Sequence, residues 1–175
     1  GFASNWKSIA RHFESEFQIL LYDQRGHGKS YQPSSGYGTA DYAQDLLNIL
    51  DALGWPSATL VGHSMGGRVA VEAASRYPER VEKLVIADIG PVSDMQSMTS
   101  IEEKLNSVPV PFEDRSSART FFDTVFLQRF GNEMVKQFFY ANLEEKADGT
   151  LSWKFSKMGV LETLWKARTL DQWRQ

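Results

Sequence analysis

Gly62-His63-Ser64-Met65-Gly66 has the spacing G-x-S-x-G. That spacing presents a serine hydroxyl on a sharp strand-to-helix turn, the geometry of a nucleophile elbow. Small flanking residues let the chain turn tightly, and the hydroxyl then stands clear at the end of the strand. The Met65 N–H, at the start of the following helix, points where the oxyanion of a tetrahedral adduct would form. The chemistry implied is acyl transfer through a covalent serine intermediate. His63, inside the motif, is expected to pack against the fold.

The surrounding elements suit that turn. Residues 58–62, ATLVG, form a short apolar run directly before the motif, and an Ala- and Gly-rich segment over 65–76 follows it. Two further apolar runs, 17–23 and 83–90, resemble the first, and the second of them is closed by Pro91. None of the three alternates polar with apolar residues, the pattern of parallel strands covered on both faces. The spacing predicts helices over 5–15 and 40–53, with Thr39 as a cap for the second and Gly54 and Pro56 ending it. The fold class is therefore α/β, a parallel sheet with flanking helices.

Past a boundary near residues 92–98 the pattern changes. Segments 99–107, 116–130, 132–143 and 158–175 read as helices, and Asp148-Gly149 marks a turn before a short extended piece. Phe121, Phe122, Val125, Phe126 and Phe130 form an apolar stripe, joined by Phe138, Phe139 and Tyr140. The expected organisation is an α/β core over 1–94 and a helical cap over 95–175.

Composition narrows the partners. A formal charge of −3 without a basic run leaves no footprint for nucleic acid. No apolar run approaches the ~20 residues that span a bilayer, so no membrane partner is expected. The chain has no cysteine, which fits the cytoplasm or another reducing compartment. His12, His27 and His63 lack metal-ligand spacing, so no metal is implied. Gly28-Lys29-Ser30 resembles the end of a phosphate-binding loop. That loop needs glycine where Asp23 stands and a helix immediately after Ser30, so nucleotide binding is rejected.

Three motifs together resemble the α/β-hydrolase superfamily. DQRGHGKS, 23–30, is similar to its D-x-R-G-x-G-x-S loop, and VGHSMGG to its elbow. VIADIGPV, 85–92, is similar to the sixth strand of a narrower group of cap-bearing small esterases. The resemblance implies a partial α/β-hydrolase fold and makes Ser64 the nucleophile. It places the triad acid at Asp88, with Asp94 a weaker candidate and a residue after a seventh strand the rival. It implies no cofactor, and a small-molecule acyl ester or thioester as substrate.

In that superfamily the order is serine, acid, histidine, yet no histidine follows Ser64. The catalytic histidine is therefore expected outside these residues. The family strand between 17–23 and 58–62 is also missing, so those segments are expected roughly 10 Å apart and unpaired. Expressed alone, the chain is expected to be poorly soluble and inert to a fluorophosphonate probe. Alternatives are a carbon–carbon bond hydrolase or lipase-like enzyme, or a non-catalytic ligand-binding protein on the same fold. A dehalogenase is disfavoured, because it needs a carboxylate where Ser64 stands.

Overall fold

Ala43, Leu46, Leu47 and Leu50 recur at helical spacing on α2 (Thr39–Ala52), and all four are buried. They pack with Leu60 of β1 (Ala58–His63) and with Ala70 and Ala73 of α3 (Met65–Arg76). The structure, a computed structural model, describes residues 1–90 and 94–168. β1 pairs in parallel with β2 (Val81–Ala87), Leu60 opposite Leu84 and His63 opposite Ala87. α3 connects them and packs on both strands and on α2. The parallel, helix-connected arrangement is the expected one, but the expected cover on both faces is not found among the described residues: β1 alternates, with Val61 54% exposed, and Leu84, Val85 and Ile86 of β2 are 37%, 50% and 41% exposed. Pro91 lies outside the described residues, and β2 ends at Ala87.

Residues 17–23 depart from expectation, forming no strand. No sheet hydrogen bonding joins them to β1 among the described residues. The segment is held by its side chains instead, with Leu20 and Tyr22 packed against the α2–β1–α3 core. Phe17 and Ile19 of the run stay 62% and 37% exposed, and a ladder needs a neighbouring strand within about 4.8 Å.

The helix expected over 5–15 is also shorter. A 3₁₀ turn at Ala3–Trp6 leads into a single α-turn, α1 (Lys7–Ala10). Ile9 and Phe13 of its apolar face stay 50% and 49% exposed. With little burial to offset the cost of helix nucleation, the segment relaxes into turns. At α2 the cap is Gly38, not Thr39. The Asp41 carboxylate accepts the Gly38 N–H at 2.8 Å, and the Thr39 hydroxyl donates to Glu72 at 3.0 Å.

The chain separates into two units, the described residues of Gly1–Asp94 with Gly159–Gln175, and Met95–Met158. The second contains α4 (Met95–Ser107), α5 (Arg115–Phe121), α6 (Leu127–Phe130) and α7 (Glu133–Ala141). A hairpin of β3 (Leu143–Glu145) and β4 (Leu151–Trp153) completes it. Asp148 braces the hairpin turn by accepting the Thr150 N–H at 3.0 Å. Phe122, Phe126 and Phe139 form its aromatic centre. Val125 and Phe138 of the expected stripe are instead 54% and 62% exposed. Residues Phe122–Phe126 form a π-turn, whose wider i→i+5 winding aligns 122 with 126 and rotates 125 outward.

Residues 159–168, including most of α8 (Lys157–Ala167), belong to the first unit, which departs from the cap expected over 95–175. Glu162 accepts the N–H groups of Gly36 and Tyr37 at 3.3 and 3.1 Å. The Thr163 hydroxyl donates to the Tyr37 carbonyl at 2.9 Å. The remainder of the helix expected to residue 175 lies outside the described residues. No helix among the described residues is long and apolar enough to cross a membrane.

Candidate active site

Ser64 joins β1 directly to α3 with φ 51° and ψ −121°. A non-glycine residue at positive φ costs of order 1–3 kcal/mol and persists only where its surroundings enforce it. Here they do. The Ser64 N–H donates to the Ala87 carbonyl at 3.0 Å, and the Ser64 carbonyl accepts from the Gly67 and Arg68 N–H groups at 2.9 and 3.2 Å. The serine is thus fixed both to the sheet and to the first turn of α3, with its side chain exposed.

The two motif glycines differ. A Cβ on Gly62 would overlap the Gly66 carbonyl and come within 2.6 Å of Gly67 N, so only glycine fits before this turn. A Cβ on Gly66 would meet nothing within 4 Å, so the second glycine is not required by space. Gly67, outside the five-residue motif, is tighter than Gly66, because its Cβ would lie 3.1 Å from Ile86 and Ile89.

At the head of α3 the first N–H groups have no carbonyl one turn back to bond. Those of Met65 and Gly66 form no hydrogen bond to a described residue. They are donors available beside the serine, at the positive end of a three-turn helix.

Asp88 follows β2 immediately and has φ 61°. Ser64 and Asp88 are the positive-φ non-glycine residues among those described. The parallel register sets them at neighbouring strand ends. The Asp88 side chain is 82% exposed, and its Oδ2 lies 3.4 Å from His63 Nε2. His63 itself is 57% exposed and does not pack against the fold as expected. Side chains alternate along a strand, and burial along β1 puts Leu60 and Gly62 inward and Val61 and His63 outward. Asp94 is exposed, and the connection from β2 passes through residues 91–93, outside the described set.

The 23–30 loop is a scaffold. Arg25 clasps Asp45 of α2 with two bonds of 2.5 and 2.6 Å and donates to the Gly36 carbonyl at 2.5 Å. The Asp45 carboxylate raises the Arg25 pKa further. Asp23 accepts the Ala3 and Lys29 N–H groups, and Ser30 donates to the Asp23 carbonyl. Lys29 and Ser30 thus close a turn and open no helix. His27 is buried, edge-on to Phe2, and burial pushes its pKa down to about 4. His12 is exposed on the first turns.

The Ser64 hydroxyl forms no hydrogen bond to a described residue. The arrangement supplies a presented serine, two available N–H donors and a carboxylate one strand away. The His63 contact was not foreseeable from the motif, since it depends on which strand lies beside β1 and in what register.

A family model described as "alpha/beta hydrolase fold" matches residues 1–175. A 2-(acetamidomethylene)succinate hydrolase of Mesorhizobium japonicum is 39% identical over 98 residues, covering 56% of this chain and 35% of that protein. The mouse sn-1-specific diacylglycerol lipase ABHD11 is 31% identical over 181 residues, covering 100% of this chain and 58% of its own. Among solved structures, a marine microorganism esterase superposes with TM-score 0.84 at 29% identity, covering 96% of this chain and 65% of its own. An E-2-(acetamidomethylene)succinate hydrolase superposes with TM-score 0.77 at 26% identity, covering 97% and 62%. The chain spans roughly a third to three fifths of the length of these curated relatives.

Proposed function

The chain belongs to the α/β-hydrolase fold family, and on that premise we propose that it acts as a serine hydrolase on small acyl esters or thioesters. Ser64 attacks the acyl carbonyl and forms the acyl-enzyme, while the Met65 N–H stabilises the oxyanion. Asp88 orients the imidazole that takes the serine proton and returns it to the leaving group. Neither His12, exposed on the first turns, nor His27, buried in the 23–30 loop, is placed for that role. His63 is turned to Asp88. The relatives extend well beyond the matched span, and the base is assigned to such additional sequence. Residues Met95–Met158 are read as the cap of the small-esterase group.

The observation that carries this reading is the enforced positive φ of Ser64 between a parallel strand and a helix N-terminus. Strained residues of this kind cluster at functional sites, and here the strained residue carries the presented hydroxyl. A second reading, hydrolysis of lipid esters, draws on a match that covers all of this chain and 58% of a diacylglycerol lipase. Treating the native protein with a fluorophosphonate and mapping the labelled peptide tests the first claim. Modification at Ser64 is expected, and an unmodified Ser64 overturns it. A series of p-nitrophenyl esters from acetate to palmitate separates the two readings by where kcat/KM peaks.

A further inference from the structure

Asp88 presents a problem for its proposed role. A carboxylate that orients a base must keep one direction, and the described residues leave this side chain 82% exposed. A free side chain would sample three staggered χ1 wells. One side-chain contact restrains it among the described residues, His63 Nε2 at 3.4 Å from Oδ2. The pair is set by backbone. His63 lies opposite Ala87 in the ladder, and the left-handed turn at Asp88 starts one residue later.

We propose that His63 is a positioning residue, its ring N–H holding Oδ2 of Asp88 so that Oδ1 faces the imidazole required by Ser64. This rests on the reading of Asp88 as the acid. A carboxylate has about four lone-pair sites on two oxygens, so one donor on Oδ2 leaves Oδ1 free for the second. At 3.4 Å the contact is longer than the 2.7–3.2 Å of a settled N–H···O bond. Closure to that range when a base occupies Oδ1 is part of the proposed role. His63 and Ser64 are adjacent in sequence but do different work. The serine follows the elbow toward α3, and the histidine remains on the strand, facing the neighbouring strand end.

Outer partners that orient metal ligands typically account for about 10–100-fold in activity when removed, and the same scale is taken for a carboxylate that orients a base. His63→Leu in the native protein is therefore expected to lower kcat at least about tenfold with KM unchanged. Rates are taken per active site, counted by fluorophosphonate titration, so a fall in folded fraction does not register. His63→Gln keeps an N–H donor and should recover kcat to within about threefold of wild type. In an Asp88→Asn background, His63→Leu should change kcat by less than about twofold, since a residue acting through Asp88 has nothing left to position. Wild-type kcat in His63→Leu, no recovery in His63→Gln, or full additivity with Asp88→Asn overturns the proposal. Wild-type kcat in Asp88→Asn alone is a different result: it removes Asp88 as the acid, and the positioning role falls with it.

Discussion

Ser64 and Ala87 are joined by a 3.0 Å hydrogen bond from the serine N–H to the alanine carbonyl, the last rung between β1 and β2. Beyond that rung both chains enter positive φ, at Ser64 and at Asp88. The parallel ladder thus ends in two strained residues side by side, one with a hydroxyl and one with a carboxylate. A single register carries both, so a slip of one residue would separate the pair and turn His63 to the other face.

Replacement of Ser64 by alanine removes the nucleophile while leaving its backbone bonds in place. In the native protein kcat on a p-nitrophenyl ester should fall by a factor on the order of 10⁶, the scale seen for loss of a triad nucleophile. The melting temperature should hold or rise slightly, because alanine tolerates positive φ no better than serine but loses no buried bond. Turnover near wild type would remove Ser64 from the mechanism.

The motif glycines should separate under alanine substitution. Gly62→Ala forces a methyl group into the Gly66 carbonyl, and overpacking against backbone should destabilise by about 3 kcal/mol or more. Gly66→Ala meets open space and replaces a helical glycine, so it should be neutral or stabilising by up to about 1 kcal/mol. Urea unfolding of both variants measures the contrast. Equal destabilisation would mean that the strand-to-helix turn is not closed as described.

The elbow was legible in the sequence because every part of it is local. Gly62, Ser64, the apolar run before them and the small residues after them are contiguous, and helix α3 begins and ends at the expected residues, Met65 and Arg76. The segment 17–23 was not legible as to pairing. Leu20 and Tyr22 do pack on the core, as its apolar character requires, but strand partnership is non-local information. The same limit hid the His63–Asp88 contact and the anchoring of Gly36 and Tyr37 by Glu162 across more than a hundred residues. Val125 was misplaced for another reason. A 3.6-residue period was applied across a π-turn, where that period does not hold.

Arg25 and Asp45 should prove a structural pair. The guanidinium side chain is 16% exposed and its carboxylate partner 30%. Removing Asp45 leaves a largely desolvated guanidinium with the Gly36 carbonyl and Asp41, at 3.9 Å, to compensate it, so Asp45→Ala should destabilise by about 2 kcal/mol. The exposed pair Arg115–Glu145, with side chains 65% and 52% exposed, is the comparison, and Glu145→Ala should shift stability by less than about 0.5 kcal/mol. Chemical denaturation of the two variants decides. Loss of activity without loss of stability in Asp45→Ala would instead place this pair in the chemistry.

His27 should give the first unit a stability that declines in mild acid. The side chain is 7% exposed, and burial lowers its pKa from 6.5 to about 4. The unfolded chain takes up a proton as pH falls through 6.5, whereas the native chain resists until about 4. Protonation in that window therefore favours unfolding. The His27 contribution is fully present above pH 6.5, declines as pH drops, and is gone below about 4. At about 1.4 kcal/mol per pKa unit the total is at most about 3 kcal/mol. About 2 kcal/mol of it should be lost between about pH 6.5 and pH 5, before most carboxylates titrate. Urea midpoints at several pH values, wild type against His27→Gln, isolate the group, since the amide keeps polarity and cannot take the proton. The variant should be less stable at pH 7 but flatter across the window. Parallel pH profiles for the two proteins would show that the imidazole is already solvated in the native state.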